Sequence, residues 1–174
     1  MTVTYTKAAG VPAVHRWPDG LVATTCVTGR GLPHDLRHWL MEAQVDLPWG
    51  FWCLAGQQAP FESFQIVEGR WPKGRKDWFE RIQRKHGPSM LHAEAQDGFW
   101  LTEADLDVHA QWQEIRRRLA KTYSFADSPL ANLGPDDVDR LRPFARRALE
   151  TWDLLPPGGR VEVRWPGAND LVVP

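Results

Sequence analysis

The chain has 174 residues, of which 43% are hydrophobic and 25% charged, and its formal net charge at neutral pH is −1. That length suits one domain, which can bury roughly 70% of the surface of its unfolded chain and needs no disulfide or metal staple to fold. A balanced charge excludes a global pull toward nucleic acid or an anionic membrane; no apolar run approaches the roughly 18 residues of a membrane span, and the N-terminal residues lack a signal-peptide core, so a cytoplasmic protein is expected.

Residues 2–6, TVTYT, alternate polar and apolar as a half-buried strand does, and 11–17 and 21–28 read as two more strands. Pro18-Asp19-Gly20 between them is a turn signal, because Pro presets φ and Gly accepts a positive one. A helix is predicted over 32–47, LPHDLRHWLMEAQVDL, with Pro33 at its start and Asp35 against the positive end of its dipole. At 100° per residue, Leu36, Trp39, Leu40, Ala43 and Leu47 form the stripe that docks on the sheet, while His34, His38, Met41 and Val45 fall on the other side.

Residues 48–56, PWGFWCLAG, are apolar all round and read as a short buried helix or turn. A strand over 61–68 follows, with Phe64 and Ile66 alternating, then a loop over 69–74. The pattern predicts a helix over 75–86, with Trp78, Phe79 and Ile82 inward and His86-Gly87-Pro88 as its stop. His92 and Glu94 lie in a short segment over 89–96, and a further helix is predicted over about 103–122. From Pro135 a last helix buries Val138, Leu141, Ala145, Ala148, Leu149 and Trp152, with a kink or restart near Arg142 because Pro143 lies inside it. Residues 160–165, RVEVRW, alternate strictly and give a final strand. Strands and helices are segregated, so the expected class is α+β: a small, mostly antiparallel sheet with four to five helices packed on it, in one domain.

The two cysteines, Cys26 and Cys53, sit in apolar surroundings without a CxxC spacing and read as buried free thiols. Ten tryptophans suit either a dense core or a binding cleft. Of these, Trp49 and Trp52, with Phe51, are candidates to line a cleft beside the 32–47 helix.

The chemistry concentrates in His34-Asp35-Leu36-Arg37-His38. Histidines four residues apart on a helix set two imidazoles side by side, the arrangement that holds zinc in an HExxH helix. Here Asp35 occupies the position of the glutamate base and is one methylene shorter. Glu42 lies about 12 Å along the axis from His34, too far to share one ion with it, but within reach of His38 as a partner or orienting group. A catalytic zinc ion needs a third protein ligand, for which His92, supported by Glu94, is preferred over His86, His109, His15 and Glu62. The expectation is therefore a metal-dependent hydrolase with His34, His38 and His92 as ligands and Asp35 and Glu42 as the acid–base groups. Metal-free acid–base use of His34, His38 and Asp35 stays open, as does a non-catalytic binding protein with a Trp-lined cleft. The basic and aromatic stretch over 70–86 reads as an ordinary helix face, and no nucleic-acid partner is expected.

The run Leu32-Pro33-His34-Asp35-Leu36-Arg37-His38, the following Glu42, and the later Gly50-Phe51-Trp52 resemble the signature of a family of small, mostly actinobacterial proteins. The match covers about residues 32–56. No activity is assigned to that family, so the resemblance implies membership and supplies no mechanism.

Overall fold

A computed structural model describes residues 1–27, 31–43, 49–100, 113, 117 and 135–166. Five strands, β1 (Thr2–Thr6), β2 (Ala13–Arg16), β3 (Val22–Thr25), β4 (Gln65–Glu68) and β5 (Arg160–Arg164), form one antiparallel sheet in the order β4-β3-β2-β1-β5. Among the described residues, four helices with defined bounds accompany it: α1 (His34–Glu42), α2 (Phe51–Gly56), α3 (Arg75–Trp100) and α4 (Pro135–Leu154). The α+β expectation holds. Among the described residues, no helix is long and apolar enough to cross a membrane.

The period-2 pattern of the strands decides what the sheet buries. Val3 pairs with His15 and Val163, and His15 with Ala23, so these four make one row of the covered face. In the next row Tyr5 pairs with Val161 and Ala13 with Thr25. All eight side chains are buried. The β2–β3 turn closes as its sequence suggests: Trp17 N–H donates to the Leu21 carbonyl at 3.0 Å, and Gly20 takes φ +88°. β4 departs from the expected alternation. Phe64, just before it, is buried, but Ile66 and Val67 are 40% and 60% exposed, because β4 is an edge strand whose register to β3 shifts between Val22 and Ala23.

The main core lies between this face and α1, α2 and α4, where Leu36, Trp39, Leu40, Trp52, Phe144, Ala148 and Trp152 meet Val3, Tyr5, Val161 and Val163. Burying each of the larger of these side chains stabilises the fold by about 1.5–3 kcal/mol. The tryptophans also brace it by hydrogen bonds from the indole N–H: Trp17 to the Ala55 carbonyl at 2.8 Å, Trp39 to the Arg164 carbonyl at 3.2 Å and Trp52 to the Asp35 carbonyl at 2.7 Å.

Four expectations change. The helix over 75–86 does not stop at Gly87-Pro88 but continues to Trp100. Its proline leaves the carbonyl four residues back, at the exposed Arg84, without an amide partner, a position water can satisfy. Pro143 likewise sits on an exposed side of α4, which runs unbroken to Leu154. Cys26 is exposed and Cys53 half-buried, so neither thiol is in the core. The residue that α4 adds to the core beyond those expected is Phe144, one helical turn before Ala148. Most of the helix expected over 103–122 lies outside the described residues; Gln113 and Arg117 are helical there.

Lys7, in the residues after β1, closes the far end of α4. Its ammonium donates to the carbonyls of Trp152, Asp153 and Leu155 at 2.7, 2.8 and 3.0 Å, which satisfies backbone acceptors that a helix end leaves open and sets a cation on its negative pole. Lys7→Met keeps the stem and removes the charge. It is expected to lower stability by about 1–2 kcal/mol, read as a drop in urea midpoint with unchanged slope.

Candidate functional site

α1 begins where Pro33 supplies the first helical acceptor: the amides of Leu36 and Arg37 both donate to its carbonyl, at 3.1 and 3.2 Å. Of the stripe read from the helical wheel, Leu36, Trp39 and Leu40 are in the core and Ala43 packs against it, while Leu47 lies outside the described residues. The opposite side is not uniformly exposed. His38 is buried, with its ring 5.8 Å from that of Phe51 on α2, while the His34 side chain keeps 41% of its surface. The two imidazoles are neighbours, as the i, i+4 spacing requires. Their centroids lie 4.6 Å apart in a T-shaped arrangement.

Asp35 reaches to the sheet as well as to its helix neighbour His34. Its Oδ1 lies 3.4 Å from His34 Nδ1, and its Oδ2 accepts the Thr25 hydroxyl at 3.3 Å. Thr25 Oγ1 in turn lies 2.9 Å from His15 Nε2. A line of polar groups thus runs from His15 on β2, through Thr25 at the end of β3, to Asp35 and His34 at the start of α1. The backbone carbonyl of Asp35 is pinned by the Trp52 indole, which fixes this first turn from the α2 side.

The buried end of the line is apolar in its surroundings. The His15 ring packs against Trp17, Trp52 and Phe64. Burial drives its pKa down from 6.5 to about 4, against a smaller upward pull from the Asp35 charge, so the ring is neutral at physiological pH. Burial, reinforced by Asp35, also holds the Tyr5 phenol well above its ordinary range. Among the described residues, Tyr5 Oη and His15 Nδ1 are the buried side-chain atoms without a hydrogen-bond partner.

Glu42 is placed at the other end of α1, 5% exposed, with its carboxylate on the first turn of α2. Oε1 accepts the Trp52 amide and Oε2 the Cys53 amide, each at 3.1 Å. Gly50, the N-cap of α2, offers no side-chain acceptor, and the glutamate does that work from eight residues upstream. A Cβ on Gly50 would collide with the Glu42 carboxylate.

The remaining candidates separate. His92 falls in α3, in a stretch whose side chains lie outside the described residues, and so does Glu94. Among the described residues, no third His, Cys, Asp or Glu joins His34 and His38 into a group able to hold a metal. His86 is stacked on Trp49 at 3.8 Å, and His15 is reached only through Thr25 and Asp35. Trp52 is fully buried in the main core, Phe51 is half-buried against His38, and Trp49 packs with α3. None of the three borders the cleft of about 310 Å³ that opens elsewhere, among Lys7, Gly10, Val27, Gly31, Trp152 and Asp153.

Thr25 and Tyr5 were not singled out from sequence, and His15 only as a possible ligand. The signal for them was the strand alternation itself, which sets positions 5, 15 and 25 on the covered face beneath α1. Set against models of known families, curated proteins and solved structures, the chain finds no match.

Proposed function

We propose that the chain is a cytoplasmic hydrolase in which the His34 imidazole is the general base and Asp35 the carboxylate that orients it. The observation that carries this reading is the Asp35 bridge between the Thr25 hydroxyl and His34 Nδ1. A carboxylate can only accept, so Nδ1 carries the ring proton and the basic lone pair is on Nε2. That ring is at the surface, where a substrate can meet it. A water at Nε2 passes a proton to the imidazole as its oxygen bonds to the carbonyl carbon of an ester or amide; the imidazolium then returns the proton to the leaving group as the old bond breaks. Positioned bases of this kind contribute about 10²–10⁴-fold.

Hydrolysis of an activated aryl acetate by the wild type and by His34→Ala is the direct test. The variant is expected to lose about 100-fold in kcat/KM with its circular dichroism unchanged. Equal rates would overturn the reading.

One observation favours a second reading. Imidazoles with centroids 4.6 Å apart at i, i+4 offer two ligands to a divalent ion such as zinc, and a carboxylate behind the ligand histidine is the usual way such a ring is held. In that reading Asp35 orients His34 rather than acting as base on the metal-bound water. Metal analysis of untagged protein separates the two: activity lost to a chelator and restored by zinc assigns the metal, while activity indifferent to chelation assigns the base.

A further inference from the structure

The direction of every hydrogen bond in the buried line can be fixed from donor and acceptor chemistry. Asp35 accepts only, so the single proton of the Thr25 hydroxyl goes to Asp35 Oδ2. The Thr25 oxygen must then accept in its 2.9 Å contact with His15, which places a proton on His15 Nε2 and a lone pair on Nδ1. Asp35 is consequently held by donors on both sides, Thr25 from the sheet and His34 from its own helix.

The imidazole at the buried end of this line carries a cost to the fold. His15 is fully buried among Trp17, Trp52 and Phe64, and its Nδ1 lacks a partner among the described residues. An unsatisfied buried polar atom costs on the order of 1–3 kcal/mol, and an apolar residue there would pack without that cost. What the imidazole supplies and an apolar side chain does not is a donor for Thr25. The two residues sit on adjacent, hydrogen-bonded strands of the sheet, a firmer support than a loop for a group that must hold one orientation.

We infer that Thr25 and His15 are positioning residues of the His34 site: His15 locks the Thr25 hydroxyl toward Asp35, and Asp35, so fixed, holds His34 in the Nδ1–H tautomer, with the basic lone pair on Nε2. The inference deepens the hydrolytic reading and rests on it for its consequence, but the tautomers are measurable without any substrate.

Long-range ¹H–¹⁵N correlation spectra of the imidazoles at neutral pH test it directly. In the wild type His15 is expected as Nε2–H and His34 as Nδ1–H; a His15 in the Nδ1–H form overturns the inference before any variant is made. Thr25→Val preserves shape and removes the hydroxyl. It is expected to shift His34 toward the Nε2–H tautomer and to lower kcat for the aryl ester about tenfold at unchanged KM, and Thr25→Ser is expected to restore both. A folded Thr25→Val with the wild-type His34 tautomer overturns the positioning role. The two readings fail separately. Hydrolysis that depends on His34 but ignores Thr25 removes this inference alone, whereas the expected tautomers without hydrolysis remove the hydrolytic reading alone.

Discussion

Glu42→Ala is expected to cost the fold about 3 kcal/mol, because each of two backbone hydrogen bonds to a charged group is worth about 1.5–3 kcal/mol and removing the carboxylate relieves part of its own desolvation. The reason is local. Gly50 leaves the first turn of α2 with amides that no N-cap side chain meets, and the Glu42 carboxylate receives those of Trp52 and Cys53, one on each oxygen. The carboxylate is buried, so truncation strands these amides where water reaches them poorly. Its negative charge also stands at the positive end of the helix, which offsets part of the cost of keeping it out of water. Glu42→Gln separates charge from geometry: the NH2 that replaces one oxygen is a donor facing a backbone donor, so in this geometry one of the two bonds is lost and about half the loss is expected. Equilibrium urea unfolding measures both.

Gly50→Ala should produce a comparable loss by a converse route, since a methyl there takes the space of the same carboxylate. The two changes act on one contact, and their effects are expected to fall well short of additive in a double-mutant cycle. Additive losses would mean that Gly50 is needed for some other reason. The pairing is also why residue 42, a candidate acid–base group by sequence, has a structural task here: it ties the end of α1 to the start of α2, and Trp52, which follows, reaches back to the Asp35 carbonyl. The site at His34 is thus held from both ends of its own helix.

What the sequence could say about these elements follows the range of the interactions involved. Period 2 placed Val3, Tyr5, Val161 and Val163 on one face, and period 3.6 placed Leu36, Trp39 and Leu40 on another, because those patterns record burial residue by residue. The neighbourhood of His34 and His38 was legible for the same reason. The Glu42 brace was not, because nothing local marks residue 42 as the cap of a helix nine positions later. Nor was the Thr25–Asp35 bond, which depends on how α1 crosses the sheet. Pro88 and Pro143 misled for a related reason: a proline removes one amide, and whether a helix breaks there depends on where the orphaned carbonyl faces. The tryptophans around residue 50 were ambiguous between cleft and core because an indole suits both, and only the fold shows the Trp52 N–H ending on a carbonyl inside.

Acid should weaken the fold through His15 before its carboxylates are reached. In the unfolded chain this histidine takes up its proton around pH 6.5, but in the folded protein only at about 4. Between those values the unfolded state binds more protons, so stability rises with pH there. The contribution is fully present above about pH 6.5 and is lost as the pH falls toward 4. Each pH unit of separation is worth about 1.4 kcal/mol, so the loss is on the order of 3 kcal/mol. That is a large part of the 5–15 kcal/mol typical of a domain. The cause is burial among three aromatic rings, with Asp35 recovering only part of the penalty through its charge. His15→Gln retains an amide donor for Thr25 and cannot titrate. Urea midpoints measured from pH 7.5 to 4.5 should fall steeply in the wild type and much less in this variant. A wild type whose midpoint is flat across that window would mean that water or a charge reaches the ring, and the neutral, one-directional line from His15 to Asp35 would lose its basis.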